Sequence, residues 1–379
     1  MRQALRLARK GYGNTSPNPM VGAVIVKQGR ILGRGYHHRA GEPHAEIEAL
    51  RDAARGKHTV RGSTLYVTLE PCCTHGRTPP CTEAIIAAGI HKVIVGATDP
   101  NPRHSGRAFP LLRQAGITVA PGVLAEECAR LNEAFNHWIV ARTPFVTVKA
   151  AMTLDGKIAT ASGQSKWITG EASRAFAMRL RQGADAILVG IRTLLADDPS
   201  LTVRLPQASP PRLRRIILDS RARTPLTAKV VSDDAAHLTT IVVSQAAPKK
   251  RVLALSKRVR VLAIPELKPG SRAGRADGLD LQKLLETLGA ENVTRLLVEG
   301  GGEVNASFLL GGLAQRIAFF YAPKVLGGRN SRHGVAGDGA RSLEEALRLS
   351  QLEWQRLGDD WLLTARVSAQ AIGQPRQPR

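Results

Sequence analysis

Aromatic side chains are scarce in this chain: Phe, Trp and Tyr make up 4% of 379 residues. That leaves few platforms on which nucleic-acid bases could stack. Cysteine is rare too, with four in all. Three of them lie between positions 72 and 81, so no disulfide framework spans the chain, and a reducing, cytoplasmic setting fits. No apolar run is long enough to cross a bilayer, and Met1-Arg2-Gln3-Ala4-Leu5-Arg6 reads as no signal core. Acidic residues are outnumbered, 31 against 54 Lys and Arg, for a net charge of +23. Such an excess raises nucleic-acid binding, yet the basic residues are spread along the whole chain. Short runs such as Arg212-Leu213-Arg214-Arg215 and Lys249-Lys250-Arg251 read as solvated loops. The length and a hydrophobic content of 43% suffice for two domains.

What is present is concentrated between residues 44 and 81. His44-Ala45-Glu46, Pro71-Cys72 and Cys81 supply one imidazole, two thiols and a nearby carboxylate. Zinc takes four tetrahedral ligands, and a catalytic zinc keeps one position for water. His44, Cys72 and Cys81 would fill the other three, with one ion per chain. Two thiolates cancel the charge of the dication, and the metal still acidifies water. From His44 to Arg55, Ile47, Leu50 and Ala54 recur at helical spacing. Glu46 then falls in the first turn, placed to take a proton from that water and pass it to a substrate nitrogen and departing ammonia. Cys81 opens a second helical stretch, and a helix N-terminus favours thiolate. A closed structural site would need His75 or Cys73 as fourth ligand and would leave Glu46 without a role. Cys73 adjoins Cys72, and neighbours rarely reach one metal together. Cys128 reads as an inert core thiol.

Around this centre strands and helices alternate. A basic amphipathic helix over 2–10 and the turn Ser16-Pro17-Asn18-Pro19 lead into a strand over 23–26 and a hairpin through 31–37. A strand over 64–69 delivers Cys72. A helix over 81–88, a strand over 92–96, a helix near 106–115, a strand over 117–120 and one long helix from Leu124 to about Ile139 follow, which predicts a three-layer α/β domain. Arg142-Thr143-Pro144 reads as a linker, because the residue before proline resists helix. The chain thus divides into 1–144 and 145–369, with a disordered tail over 370–379. The second part predicts strands over 145–150, 186–190, 215–219, 296–299, 317–321 and 361–367, and helices over 172–181, 280–288 and 303–310. Residues 264–278, rich in Pro, Gly and Arg, read as a mobile loop. Gly300-Gly301-Gly302, between a strand and a helix, can bring backbone N–H groups close to a phosphate. A tight turn without a ligand explains it equally well, and it is not the dinucleotide fingerprint of a Rossmann fold.

Asn18 in its Pro-Asn-Pro turn, the His-Ala-Glu helix and Leu69-Glu70-Pro71-Cys72 resemble the cytidine deaminase superfamily, whose zinc signature is well established. His75-Gly76-Arg77-Thr78-Pro79-Pro80-Cys81 and Asp99-Pro100-Asn101-Pro102 narrow the likeness to the bifunctional riboflavin-biosynthesis deaminase–reductases. The resemblance covers nearly the whole chain. It implies an α/β protein with a cytidine-deaminase-like domain followed, over 145–367, by a dihydrofolate-reductase-like domain that uses NADPH. It implies that Asn18 lines the pyrimidine pocket. Ala151, Trp167, Thr193, Asp197, Ser220, Gly301, Gly302, Glu303, Val304, Asn305, Ala306 and Ser307 would contact the cofactor. Ser165, Arg181, Leu201, Arg204 and Glu299 would contact substrate, and the two arginines suit a ribose phosphate. Relatives usually carry Ser where Cys73 stands, and a few residues ahead of Met1, which leaves a start upstream open.

The activity so implied is zinc-dependent hydrolytic deamination of 2,5-diamino-6-(5-phosphoribosylamino)pyrimidin-4-one, then NADPH-dependent reduction of its ribosyl to a ribityl chain. The expected partners are phosphorylated small molecules, with no nucleic acid and no membrane; a homo-oligomer is compatible with this. Lys149 and Glu299 are the candidates for the proton donor of the reduction. The rival reading, a nucleic-acid base deaminase with an accessory domain, draws on the charge but leaves residues 145–379 unexplained. A structural zinc protein with a degenerate second domain is a third.

Overall fold

The computed structural model describes residues 1–75, 79–205, 213–267, 275–276 and 278–368. Part of the insert between Cys72 and Cys81, most of the loop expected over 264–278 and the tail after Ser368 lie outside the described residues. The chain forms two compact units, Met1–Thr143 with Asn292–Thr294, and Pro144–Glu291 with Arg295–Arg379.

The first unit is built on five strands in the spatial order Arg30–Tyr36, Gly22–Lys27, Thr64–Leu69, Lys92–Ala97 and Thr118–Ala120. The first three run antiparallel to their neighbours and the last three parallel. Helix Ala45–Arg55 lies on the strand Arg30–Tyr36. Gly33 and Gly35 permit that approach: a Cβ on either would collide with the helix backbone, at Ala49 and Ala45 respectively. The expected single helix from Leu124 is a correction. It breaks into Ala125–Leu131 and Glu133–Ala141 at Asn132. The buried Asn132 side chain accepts from the Met20 N–H (2.8 Å) and donates to the Met20 carbonyl (2.9 Å), a long-range bond that outweighs helix continuity.

The second unit carries a nine-stranded sheet in the order Arg260–Ile264, Thr239–Ser244, Arg214–Leu218, Ala186–Gly190, Arg295–Val298, Phe145–Thr153, Arg316–Ala322, Asp360–Val367, Leu349–Leu357. The first seven are parallel, and the last two add antiparallel. Ile187, Val189, Ile217, Ile241 and Val243 fill the core on one face at one end of this sheet, and the alternating Leu188, Ile216 and Val242 are buried on the other, as parallel strands require. The strands Thr239–Ser244, Arg260–Ile264 and Leu349–Leu357 and the helices Ile191–Asp197 and Lys249–Ser256 are additions to the expected elements. Two basic runs expected in solvated loops are corrected as well. Arg215 is 1% exposed and forms two 2.7 Å bonds with Asp233, with further bonds to Thr239 and the carbonyls of Ser200 and Val230. Lys249-Lys250-Arg251 begins a helix, and Arg251 donates to the carbonyls of Ala222 and Thr224. Among the described residues no helix is long and apolar enough to cross a membrane.

Candidate active sites

His44 caps the helix Ala45–Arg55, Cys72 follows the strand Thr64–Leu69, and Cys81 is the first residue of helix Cys81–Ala87. Three element ends therefore deliver three ligand atoms to one point, all within 4.8 Å of one another. His44 Nδ1 is 3.5 Å from Cys72 Sγ and 3.3 Å from Cys81 Sγ. A tetrahedron with zinc bonds of roughly 2.0–2.3 Å separates nitrogen from sulfur by roughly 3.5 Å, so the donor set fits that ion. The Cys81 N–H also points at Cys72 Sγ (3.2 Å). Cys72 is drawn well below the usual thiol range, first by the hydrogen bond from the Cys81 thiol, which pushes Cys81 up in turn. His44 is raised, first by its bond with Cys72. These groups crowd round shared protons where a cation would serve all three. His75, a candidate fourth ligand, faces Glu83 instead (3.8 Å) and is exposed. Cys73 is not in the cluster. Among the described residues the fourth position is thus left without a protein ligand.

Glu46 lies in the first turn beside this cluster and is 3% exposed. Burial, aided by the Cys72 thiolate, lifts its carboxyl to about 7, where it exchanges protons near neutrality. Asn18 is oriented by a residue that sequence reasoning missed. The buried His37 bonds the Pro43 carbonyl through Nδ1 (3.1 Å) and Asn18 Nδ2 through Nε2 (3.0 Å). With Nδ1 donating to the carbonyl, Nε2 accepts from the amide, and Asn18 Oδ1 remains as an acceptor. Burial lowers His37, in keeping with a neutral ring. No motif marks His37.

In the second unit a cavity of about 1240 Å³ opens where parallel strands end at Gly190, Leu218 and Val298. Ligands of open α/β sheets bind at this edge. Its floor holds Glu299, bonded twice by Arg181 and 3.6 Å from Lys149 Nζ. The three glycines of the turn differ. A Cβ on Gly300 would strike Val304, and one on Gly302 the His333 carbonyl. Gly301 alone has room, its nearest neighbour being Thr193 Oγ1 at 3.8 Å. An open backbone beside the N-terminus of helix Gly302–Leu310, facing a cavity of this size, fits a dinucleotide phosphate.

Residues 1–97 match the cytidine and deoxycytidylate deaminase zinc-binding region, and residues 144–363 match the RibD C-terminal domain. The riboflavin biosynthesis protein RibD of Actinobacillus pleuropneumoniae is 43% identical over 363 residues, 96% of this chain and 93% of that one. The chain belongs to the RibD family. Acinetobacter baumannii RibD superposes with a TM-score of 0.83 at 36% identity, covering 97% of each chain. A Thermotoga maritima protein described as a diaminohydroxyphosphoribosylaminopyrimidine deaminase/5-amino-6-(5-phosphoribosylamino)uracil reductase does so with a TM-score of 0.79 at 34% identity, again over 97% of each. Residues 145–363, most of the stretch that the nucleic-acid reading left unexplained, thus match the RibD C-terminal domain. The fold class expected from the sequence, cytidine-deaminase-like followed by dihydrofolate-reductase-like, is that of the family.

Of the RibD residues expected at the reductase site, Ala151, Ser165, Trp167, Thr193, Asp197, Glu299, Gly301, Gly302, Glu303, Val304 and Ser307 line the cavity. Asn305 is buried beneath it, its amide donating to the Gly334 carbonyl (2.8 Å). Ala306 and Leu201 are also buried. Ser220 follows the strand ending at Leu218, and Arg204 is exposed on its loop. Arg181, expected on a phosphate, already has three donors engaged, two on Glu299 and one on the Thr202 carbonyl (3.1 Å). Arg174, Arg192, Arg332 and His333 line the cavity unforeseen. They lie on helices Glu171–Gln182 and Ile191–Asp197 and on the short strand Arg332–His333, where a single basic residue carries no sequence signal that sets it apart.

Proposed function

We propose that residues 1–144 deaminate and residues 145–369 reduce, in one bifunctional enzyme of riboflavin biosynthesis. The observation that carries the first half is a His44, Cys72, Cys81 cluster with no fourth protein ligand among the described residues and a buried Glu46 beside it. Zinc held there supplies the Lewis acidity that makes water nucleophilic near neutral pH. With zinc held by His44, Cys72 and Cys81, the buried Glu46 would take one proton from the attacking water and pass it to the ring nitrogen, then carry the second, from the new hydroxyl on the ring carbon, to the amine that leaves as ammonia. Asn18, held by His37, offers Oδ1 to the pyrimidine and fixes which carbon meets the nucleophile.

The substrate is 2,5-diamino-6-(5-phosphoribosylamino)pyrimidin-4-one, and the deaminated product passes to the second unit. NADPH supplies the hydride there. Gly301 leaves backbone open to its phosphates, and Trp167 and Ala151 flank the reacting end. Lys149 and Arg181 outweigh burial and hold Glu299 below the usual carboxylate range, which favours a role as fixed anion over one as acid. Lys149, beside it, has N–H protons to give and is the proton donor of choice. Arg204 takes the ribose phosphate, while Arg181 mainly fixes Glu299. The protein works in the cytoplasm on small phosphorylated molecules. Turnover of the diamino substrate with and without NADPH tests this. Ammonia should appear in both cases and the ribityl product only with NADPH; failure to release ammonia from this substrate contradicts it.

A further inference from the structure

The loop between strand Lys157–Ala159 and helix Glu171–Gln182 borders the reductase cavity, with Ser165, Trp167, Ile168 and Thr169 in its lining. Trp167 is nevertheless 66% exposed, so burial does little to fix the indole in place. Charge does more. Four consecutive residues, 167 to 170, each give a backbone group to an ionic side chain. Lys324 Nζ donates to the carbonyls of Trp167 (3.1 Å) and Ile168 (2.7 Å). Arg174 donates to the Thr169 carbonyl (2.8 Å), and its guanidinium lies 4.8 Å from the centre of the Trp167 ring. The buried Asp360 accepts from the Gly170 N–H (2.7 Å).

The three side chains differ in what they hold. Arg174 belongs to the helix that follows the loop, and Asp360 grips its last residue. Lys324 is the one that holds the backbone of Trp167 itself. Its own backbone is well anchored. The Lys324 N–H donates to the Ala322 carbonyl (2.7 Å) at the end of strand Arg316–Ala322, and its carbonyl accepts from the Leu154 N–H (2.8 Å) just past strand Phe145–Thr153. Beyond it, Asp155 accepts from the N–H groups of Leu326 (3.0 Å) and Gly327 (2.7 Å). Lys324 is thus a post set on two neighbouring strands of the sheet, with its ammonium extended to the loop. An ammonium has three donors and no fixed plane, so it can serve two consecutive carbonyls at once. Lys324 is exposed and lies outside the residues that line the cavity. Removing its ammonium buries no unpaired group, so the fold does not depend on it.

We propose that Lys324 is a positioning residue of the reductase: it latches the loop through the Trp167 and Ile168 carbonyls and so keeps Ser165 and Trp167 facing the cavity. This rests on the reductase reading above. The test is made on the full chain, with the already deaminated intermediate supplied. Lys324→Met keeps the stem and removes the donors. It should raise the KM for NADPH about tenfold, the worth of one charge-assisted hydrogen bond, and leave kcat within about twofold of wild type, because the loop still closes once the cavity is filled. Hydrogen exchange over residues 165–170 should quicken in this variant, while ammonia release and the thermal midpoint stay at wild-type values. Lys324→Arg, which restores donors, should recover both the KM and the protection. A wild-type KM in Lys324→Met overturns the latch. So does a raised KM with unchanged exchange in the loop, which marks lost charge at the cavity mouth rather than lost anchorage, and so does a lowered thermal midpoint, which marks a merely structural role. A wild type that oxidises no NADPH with the intermediate overturns the reductase reading itself, and the latch with it.

Discussion

Arg181 meets Glu299 edge to edge: Nε and Nη2 of the guanidinium donate to the two carboxylate oxygens over 2.8 and 2.9 Å. Lys149 adds an ammonium 3.6 Å away. Burial alone would raise Glu299, but the charges of Lys149 and Arg181 overcome it and hold the carboxyl down at about 2. The reductase cavity therefore has a fixed anion at its floor, oriented from a helix on one side and a strand on the other.

A carboxylate depressed in this way stabilises the folded state above the ordinary value near pH 4.5, and that contribution drains away as pH falls towards 2. A shift of this size corresponds to about 3 kcal/mol. Urea unfolding of the reductase unit should place wild type about that far above Glu299→Gln at pH 7, with the gap closing between pH 4.5 and 2. A gap that persists unchanged in acid would mean that charge pairing is not its source.

Arg215 is a fully buried cation of this unit. Asp233→Ala leaves it with neutral partners only, and breaking such a pair costs roughly 3–5 kcal/mol. Chemical unfolding should register that loss, while ammonia release, which resides in the first unit, stays intact at low denaturant. A loss below roughly 1 kcal/mol would show that water reaches the guanidinium.

How much of this is legible in the sequence depends on how local each feature is. The zinc cluster is legible because its ligands sit at the ends of elements with clear periodicity. The break at Asn132 is not, since its partner Met20 is far away in the chain. Arg215 looks like any surface arginine until the fold brings Asp233 to it. Thr239–Ser244 is a short β-branched run that periodicity alone does not separate from a buried helical segment. Gly300, Gly301 and Gly302 are identical in sequence, and only their neighbours distinguish packing from binding.

Those neighbours make a prediction. Gly302→Ala drives a Cβ into the His333 carbonyl and should lower the thermal stability of the reductase unit. Gly301→Ala fits, with Thr193 Oγ1 at 3.8 Å, and should fold normally. Gly301→Asp, which adds negative charge facing the cofactor phosphates, should abolish NADPH oxidation and spare ammonia release. NADPH oxidation by Gly301→Asp at the wild-type rate would remove the phosphate from this turn.

Cys72→Ser should lose zinc, and Cys73→Ser should keep one ion per chain, because Cys73 stands outside the ligand cluster. Elemental analysis of the two purified variants decides it, and the opposite pattern would assign the ligand to the wrong cysteine.

The most direct test of two independent chemistries in one chain is Glu46→Gln. Glutamine keeps the shape and removes the base. Zinc content should be unchanged, since Glu46 is not among the three ligands. Ammonia release should fall by about a hundred- to ten-thousandfold. Oxidation of NADPH, measured with the already deaminated intermediate supplied, should stay near the wild-type rate. If Glu46→Gln, folded and zinc-loaded, also failed to reduce that intermediate, the assignment of deamination and reduction to separate sites would be wrong.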